Sequence, residues 1–351
     1  MPRTDLPAIV AAAGRILRPC VSALWAEAPM RPLHDPRTGY TSDRTWRAIQ
    51  QFLPADMRLG DGFMPTEEYW DWQGHQIHLD RLTQPDSPVT VILLHGVGTN
   101  GRLLTLIAGG PLFRRGLSTV ALDLPTYGQT HVRRGAHVTY DDWVQLVCDF
   151  ITAERTRTGS PVVLYGLSAG GMLAYHAAAI HGQVAGIIGM TFLDQREQRV
   201  RDDTARNLLM SRVGGWFAAR VAGTLLDRIK LPMRLTSKMH MLANNPAALR
   251  VLLADRTSAG NWATLRFLNS YLRYQPAVEP EDFAVCPILL TQPDADRWTP
   301  LGLSELVLRR VARVPVTRVL LTGAGHYPLE QPGLTQMTEA ILAFVGGLPK
   351  A

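Results

Sequence analysis

Val162-Val163-Leu164-Tyr165-Gly166-Leu167-Ser168-Ala169-Gly170-Gly171-Met172 decides the reading of this 351-residue chain. The first four residues form a short, β-branched and apolar run, the pattern of a strand buried on both faces. Residues 166–170 match G-x-S-x-G, and from Gly170 a helical pattern of small and apolar residues continues to His181. With 30 glycines in the chain a bare G-x-S-x-G carries little weight. Its place between a buried strand and a helix gives it weight, because a strand–sharp turn–helix is the setting of a nucleophile elbow. The turn forces the central serine into a strained backbone conformation, and side chains at the flanking glycines would collide with the neighbouring strand and helix. Ser168 is therefore the candidate nucleophile, and Leu167 beside it a candidate substrate contact.

Outward from this motif the chain alternates. Strand-like runs occur at Val89–Leu94, Thr119–Leu122, Ala185–Met190, Ile288–Thr291 and Thr317–Leu321. Helical patterns lie between them at Leu103–Arg114, Tyr140–Thr156, Leu301–Arg313 and Gln336–Val345. Strand alternating with helix implies right-handed crossovers and a mostly parallel, doubly wound α/β sheet covered on both faces. Ahead of it, Tyr69–Asp71 and Gln76–Leu82 flank Gln73-Gly74 and read as a hairpin. Residues 195–283 break the alternation: they read as helices at Asp203–Val213, Phe217–Ile229, Pro246–Leu253 and Trp262–Tyr274, an all-helical cap inserted into the core. The organisation expected is an extension over 1–66, a core of 67–194 and 284–351, and a cap of 195–283. The apolar residues of the cap, among them Leu208, Leu209, Trp216, Phe217 and Leu225, are expected to pack mostly within the cap or onto the core.

Three other strand ends carry candidate chemistry. Val89–Leu94 runs into His95-Gly96-Val97-Gly98, where glycines free the backbone to turn N–H groups inward. The N–H groups of Val97 and Ala169 are the candidate oxyanion hole, and His95 reads as a residue holding the loop. Ile288–Thr291 runs into a loop with two carboxylates, Asp294 and Asp296, either of which can orient a histidine. Asp296, farther out on the loop, is preferred; Asp294 and Asp194 are the alternatives. Thr317–Leu321 leads to Gly323-Ala324-Gly325-His326, and a histidine on a glycine-rich loop after the last strand is the candidate base. Trp298 and Tyr127 are further candidate substrate contacts. The remaining histidines show no metal-ligand spacing.

Composition narrows the classes. A hydrophobic fraction of 46% with 19% charged residues fits a packed globular protein and excludes disorder and coiled coil. No apolar run reaches the roughly 18–20 residues that span a bilayer, so no membrane-spanning helix is expected. The net charge is +6, from 36 Lys+Arg against 30 Asp+Glu, without a basic cluster of the kind that binds nucleic acid. Residues 195–283 hold 14 Lys/Arg against 8 Asp/Glu. Cys20, Cys148 and Cys286 are few and far apart, which encodes neither a zinc site nor a disulfide framework and fits a cytoplasmic location. Near the start, Leu6, Ile9, Val10, Ala13, Ile16, Leu17, Val21 and Leu24 recur at helical spacing. They suit a helix packed on its own domain, with peripheral membrane or dimer contact as the other use.

Taken in order, HGVG (95–98), DLPTYG (123–128), GLSAG (166–170), DADRWTP (294–300) and GAGH (323–326) make residues 68–348 resemble the α/β-hydrolase fold superfamily. The nearest likeness within it is to capped serine hydrolases of the monoacylglycerol lipase and lysophospholipase type. That resemblance implies a Ser168–His326–Asp296 triad, an acyl-enzyme, a small-molecule ester substrate, and no metal or organic cofactor. Ser168 stands where haloalkane dehalogenases and epoxide hydrolases carry Asp. A carbon–carbon bond hydrolase, thioesterase, acyltransferase or perhydrolase shares the triad, and a non-catalytic binding protein shares the fold. Thr126-Tyr127 departs from the Gly-His common in relatives, and the extension has no counterpart in the family's core.

Overall fold

The computed structural model describes residues 30–32, 39–60 and 62–349. The amphipathic N-terminal stretch and Cys20 lie outside the described residues. The strands are β1 (Met30–Pro32), β2 (Thr66–Trp72), β3 (His75–Leu82), β4 (Thr90–Leu94), β5 (Ser118–Leu122), β6 (Val162–Gly166), β7 (Gly186–Gly189), β8 (Lys230–Pro232), β9 (Trp262–Thr264), β10 (Ile288–Pro293) and β11 (Val316–Leu321). All but β8 and β9 form one nine-stranded sheet in the order β1-β2-β3-β5-β4-β6-β7-β10-β11. The pairs among β5, β4, β6, β7, β10 and β11 are all parallel. The first three strands join antiparallel at one edge.

Every residue of β4, β5 and β6 is buried, as their unbroken apolar sequences require. Each large aliphatic side chain removed from water there contributes about 1.5–3 kcal/mol. Gln73 and Gly74, both at positive φ, close the β2–β3 hairpin with the twist that two-residue turns favour. The helix Tyr140–Thr158 starts at a capping box between Thr139 and Asp142 and stops at Gly159 in the left-handed conformation. It packs against Ala169–His181 on one side of the sheet, while Gly333–Gly346 covers β10 and β11. The helix expected over Leu301–Arg313 ends at Leu308, because the chain turns there to re-enter the sheet at β11.

The described residues of the extension are built into the sheet and core. Met30–Pro32 adds a strand to the sheet edge, and Tyr40, Trp46, Ile49, Leu53, Met57 and Leu59 are buried in the main core. Residues 195–283 depart from the all-helical expectation. They contain a two-stranded ribbon, β8 paired antiparallel with β9, and only short helices, π turns and 3-10 turns around it. Each ribbon strand is three residues long and its partner lies some thirty positions away, so no local periodicity reports it. Gly223 at φ +81 cuts the expected Phe217–Ile229 helix in two. A second expectation fails more instructively: Leu208, Leu209, Val213, Trp216, Phe217, Leu225, Leu226, Ile229 and Leu235 are exposed. Met233, Met239 and Leu242 do pack, at the junction with the core. A layer this thin has too little interior for the rest.

Candidate active site

The loops after β4, β6, β10 and β11 meet at the carboxyl edge of the parallel strands, where open α/β sheets place their sites. Ser168 sits between β6 and the helix Ala169–His181 with φ 56° and ψ −121°, a left-handed conformation that a residue with a Cβ adopts only under constraint. The constraint is packing. A Cβ at Gly166 would strike the Gly170 carbonyl, and one at Gly170 the Leu94 carbonyl. The strand–turn–helix therefore closes only with glycine at both positions, and the serine is held up at its apex.

Asp296 and His326 come together. Asp296 Oδ2 accepts from His326 Nδ1 at 2.8 Å and from the Thr299 hydroxyl at 2.6 Å, while its Oδ1 takes the N–H groups of Trp298 and Thr299. Burial alone would push the Asp296 carboxyl up; the His326 charge and the His326 and Thr299 hydrogen bonds outweigh it and hold it below the usual carboxylate range. These bonds leave His326 Nε2 buried and without a hydrogen-bond partner, so none joins it to Ser168 Oγ in this structure. The competing carboxylates are occupied elsewhere. Asp294 is exposed and accepts the Gly323 N–H at 2.6 Å. Asp194 is paired with Arg196, which also grips Glu279.

The loop after β4 presses on the elbow so closely that a Cβ at Gly96 would stand 2.9 Å from both the Leu167 carbonyl and Ser168 Cβ. His95 holds that loop: Nδ1 bonds the Gly96 carbonyl at 2.8 Å and Nε2 accepts the Leu124 N–H at 2.9 Å. Because a trans peptide points its C=O and N–H in opposite directions, fixing the Gly96 carbonyl fixes the Val97 N–H as well. Burial pushes the His95 imidazole down, which suits a neutral ring that donates once and accepts once.

Tyr127 and Leu167 do not occupy the places expected of them. The Tyr127 hydroxyl donates to the Val97 carbonyl at 3.0 Å, and the ring lies in the wall of a separate polar cavity of about 410 Å³ between residues 126–138 and the β8–β9 ribbon. The phenol braces the loop rather than facing Ser168. Leu167 is buried under the elbow, its N–H on the Leu94 carbonyl, since the turn that raises the serine turns its neighbour inward. Trp298 lines the cavity with Ser168, has its ring centroid 4.6 Å from that of His326, and donates to the Thr204 carbonyl.

Sequence reasoning missed the clamps on these loops. Within 195–283, the Leu242 carbonyl accepts the Tyr327 N–H, and Asn244 bonds both the Ala295 carbonyl and Arg297. On the other side, Asp123 receives the Gly101 and Gln129 N–H groups, the Tyr40 hydroxyl and His78, and a Cβ at Gly128 (φ +56) would overlap its carboxylate. His78 also bonds Glu67, and Arg102 joins Glu67 to Asp80. Burial would lower His78, but its hydrogen bonds to Asp123 and Glu67 and the charges of Asp123 and Asp80 raise it to about 9. Glu67, His78 and Asp80 lie close enough together to hold a metal ion. Both His78 nitrogens and both carboxylates are already matched by protein partners, which makes the set an ionic lock. The DLPTYG segment was the available signal, since an Asp that leads into Gly128 at positive φ marks a built turn.

The Ser168 cavity measures about 530 Å³. Core residues Val97, Ser168, Leu193 and Trp298 form its base, and Leu209, Met210, Val213, Trp216, Phe217, Ile229, Leu231 and Leu268 are among the residues of its wall. Among the described residues, Arg201 is the one charged side chain lining it, and its guanidinium is spent on the Gln195 and Arg196 carbonyls and Gln198.

The comparisons with known proteins agree with this fold. Monoacylglycerol lipase from Paleococcus ferrophilus superposes with a TM-score of 0.58 at 19% identity, covering 77% of this chain and 98% of its own. A soluble variant of monoglyceride lipase from Saccharomyces cerevisiae gives 0.64 at 17% identity, covering 82% and 95%. Among curated sequences, protein phosphatase methylesterase 1 of Rattus norvegicus is 29% identical over 176 residues, 45% of each chain. The human protein of that name is 27% identical over 176 residues, again 45% of each chain. The chain thus spans less than half the length of the curated relatives it matches. The model of the alpha/beta hydrolase family matches residues 91–335, from β4 through the His326 loop, and so takes in Ser168, Asp296 and His326. With that match over more than two thirds of its residues, the chain belongs to the alpha/beta hydrolase family.

Proposed function

We propose that the chain is a serine hydrolase that cleaves an uncharged carboxylic ester with a hydrophobic acyl or aromatic part through an acyl-enzyme. One observation carries the reading: a serine held at positive φ opens into a cavity whose wall is apolar and whose single described charged residue is fully engaged. Among the described residues a substrate carboxylate or phosphate would find no free cation there, whereas each acyl CH₂ buried contributes roughly 0.8 kcal/mol. Ester cleavage is also what the name of the methylesterase relatives states of them.

In this reading Ser168 Oγ attacks the ester carbonyl as its proton passes to His326 Nε2, the buried nitrogen with no other partner. Asp296 holds the imidazole in the tautomer with Nδ1 protonated and stabilises the imidazolium. The tetrahedral oxyanion is received by the Val97 and Ala169 N–H groups, and each such donor is worth about 3–4 kcal/mol. His326 then protonates the departing alkoxide, and water, deprotonated by the same imidazole, attacks the acyl carbonyl and restores Ser168.

A fluorophosphonate probe should label the native protein at Ser168 and leave Ser168→Ala unlabelled. Across p-nitrophenyl esters, KM should fall as the acyl chain grows from two to about eight carbons. Absence of labelling in folded protein would turn the reading toward a binding protein. A KM that is flat or rising would refute the apolar acyl site.

A further inference from the structure

Twelve large hydrophobic residues are exposed among the described residues, and ten of them fall between Leu208 and Trp262. Five of those ten (Leu209, Val213, Trp216, Phe217 and Ile229) also line the Ser168 cavity, so they stand at its mouth with one side facing inward and the other facing water. Leu208, Leu225, Leu226 and Leu235, which neighbour them in sequence, are exposed as well, Leu225 by 75%. A monomer rarely leaves an apolar patch of this kind in water, and one that rims a ligand cavity marks a docking surface.

Charge identifies what docks. Residues 195–283 carry 14 Lys/Arg against 8 Asp/Glu, an excess equal to the whole chain's +6, so the remaining residues balance. Their acidic groups are largely consumed: Asp202 by Arg212, Asp203 by Arg199, Asp227 by Arg266, Glu279 by Arg196 and Arg310. Arg220, Arg228, Lys230 and Arg234 are exposed and form no ion pair among the described residues; Arg220 lies over the Trp216 ring at the mouth, while Arg228 and Lys230 also line the polar cavity beside the β8–β9 ribbon. A second copy of the chain meeting this face about a two-fold axis would bring these cations against one another. An anionic surface would be attracted by them while its acyl region received the leucines and the tryptophan.

We propose that the rim formed by residues 208–235 docks on an anionic lipid surface, with the mouth of the Ser168 cavity against the membrane, so that an ester reaches the serine from the lipid phase. The inference rests on the serine hydrolase reading for what enters the cavity. The docking itself is measured without any reaction.

Docking is tested with Ser168→Ala protein sedimented with vesicles of phosphatidylcholine alone or mixed with phosphatidylglycerol. Binding to the mixed vesicles, weak binding to phosphatidylcholine alone, and loss of binding in high salt are expected. Two further variants, Leu225→Ser with Leu226→Ser and Arg220→Glu with Arg228→Glu, alter residues that do not line the cavity. Built in the Ser168→Ala background, each should bind the mixed vesicles about tenfold more weakly. Built in the native protein, each should still hydrolyse soluble p-nitrophenyl acetate at the native rate, which shows that the fold is retained. Failure of the parent protein to bind, or undiminished binding by both variants, overturns the proposal. So does a dimer in solution that the leucine variant dissolves while no vesicles are bound. If native protein fails to hydrolyse the acetate while vesicles are bound, the hydrolase reading falls and the docking stands.

Discussion

The base of the Ser168 cavity and its mouth line the same space and obey different physics. At the base Ser168, Asp296 and His326 are buried, and each loop that carries them is tied by hydrogen bonds from two sides. At the mouth Leu209, Trp216 and Phe217 stand exposed on short turns and π segments whose partners are few. A reacting atom must be placed to a fraction of an ångström, so the base is over-determined. A surface that accepts apolar chains of varied shape needs area more than placement, so the mouth can be loosely built. Changes at the base should therefore act on kcat, and changes at the mouth on KM.

The largest effect is expected from Ser168→Ala, which should reduce ester hydrolysis by about 10⁴-fold or more with the thermal transition unchanged. Retention of a tenth of the activity would remove the serine from the mechanism. Next comes a contrast within one loop. Asp296→Asn should cost about 10³–10⁴-fold in kcat, because the amide cannot hold the Nδ1–H tautomer. Asp294→Asn should cost less than about threefold, since this side chain only takes the Gly323 N–H. The reverse ranking would break the assignment of the base.

Phe217→Ala samples the mouth. It should raise KM for an octanoate ester by about tenfold, leave kcat within about twofold, and barely alter the acetate ester. A fall in kcat of the size seen for Asp296→Asn would erase the distinction between the two regions.

The smallest effect is one of stability with pH. His78 has a folded pKa of about 9 against an ordinary 6.5, so its contribution is complete below the ordinary value and is lost as pH rises through about 9. Tm should accordingly fall between about pH 7 and 10 in the native protein, and His78→Gln should flatten that slope. An equal slope in both would mean that the lock under the Asp123 loop does not hold its proton.

Much of the base was legible from local pattern. Val162–Gly170 names a buried strand, a sharp turn and a helix, and the glycines at 166 and 170 are required by carbonyls that a Cβ would strike. Asp296 and His326 follow strands whose apolar runs end where the loops begin. Tyr127 was misread because its sequence neighbours say nothing of the Val97 carbonyl that its hydroxyl meets. Thr299 was passed over although its hydroxyl lies within 3.0 Å of both Asp296 and His326. The extension hid its value in the same way, since Tyr40 gains a partner only when Asp123, 83 positions away, is brought beside it.

By itself the sequence determined the α/β alternation, the elbow and the order of its chemical residues, because strand periodicity, glycine sterics and loop position are properties of neighbouring residues. Tertiary structure alone decided which carboxylate reaches His326, which phenol braces the loop after β4, and how residues 195–283 fold. It also decided that their leucines and tryptophans face water. Each of those outcomes depends on which distant surfaces meet, and a thin insertion lying on a core that is already filled leaves its apolar residues no interior to enter.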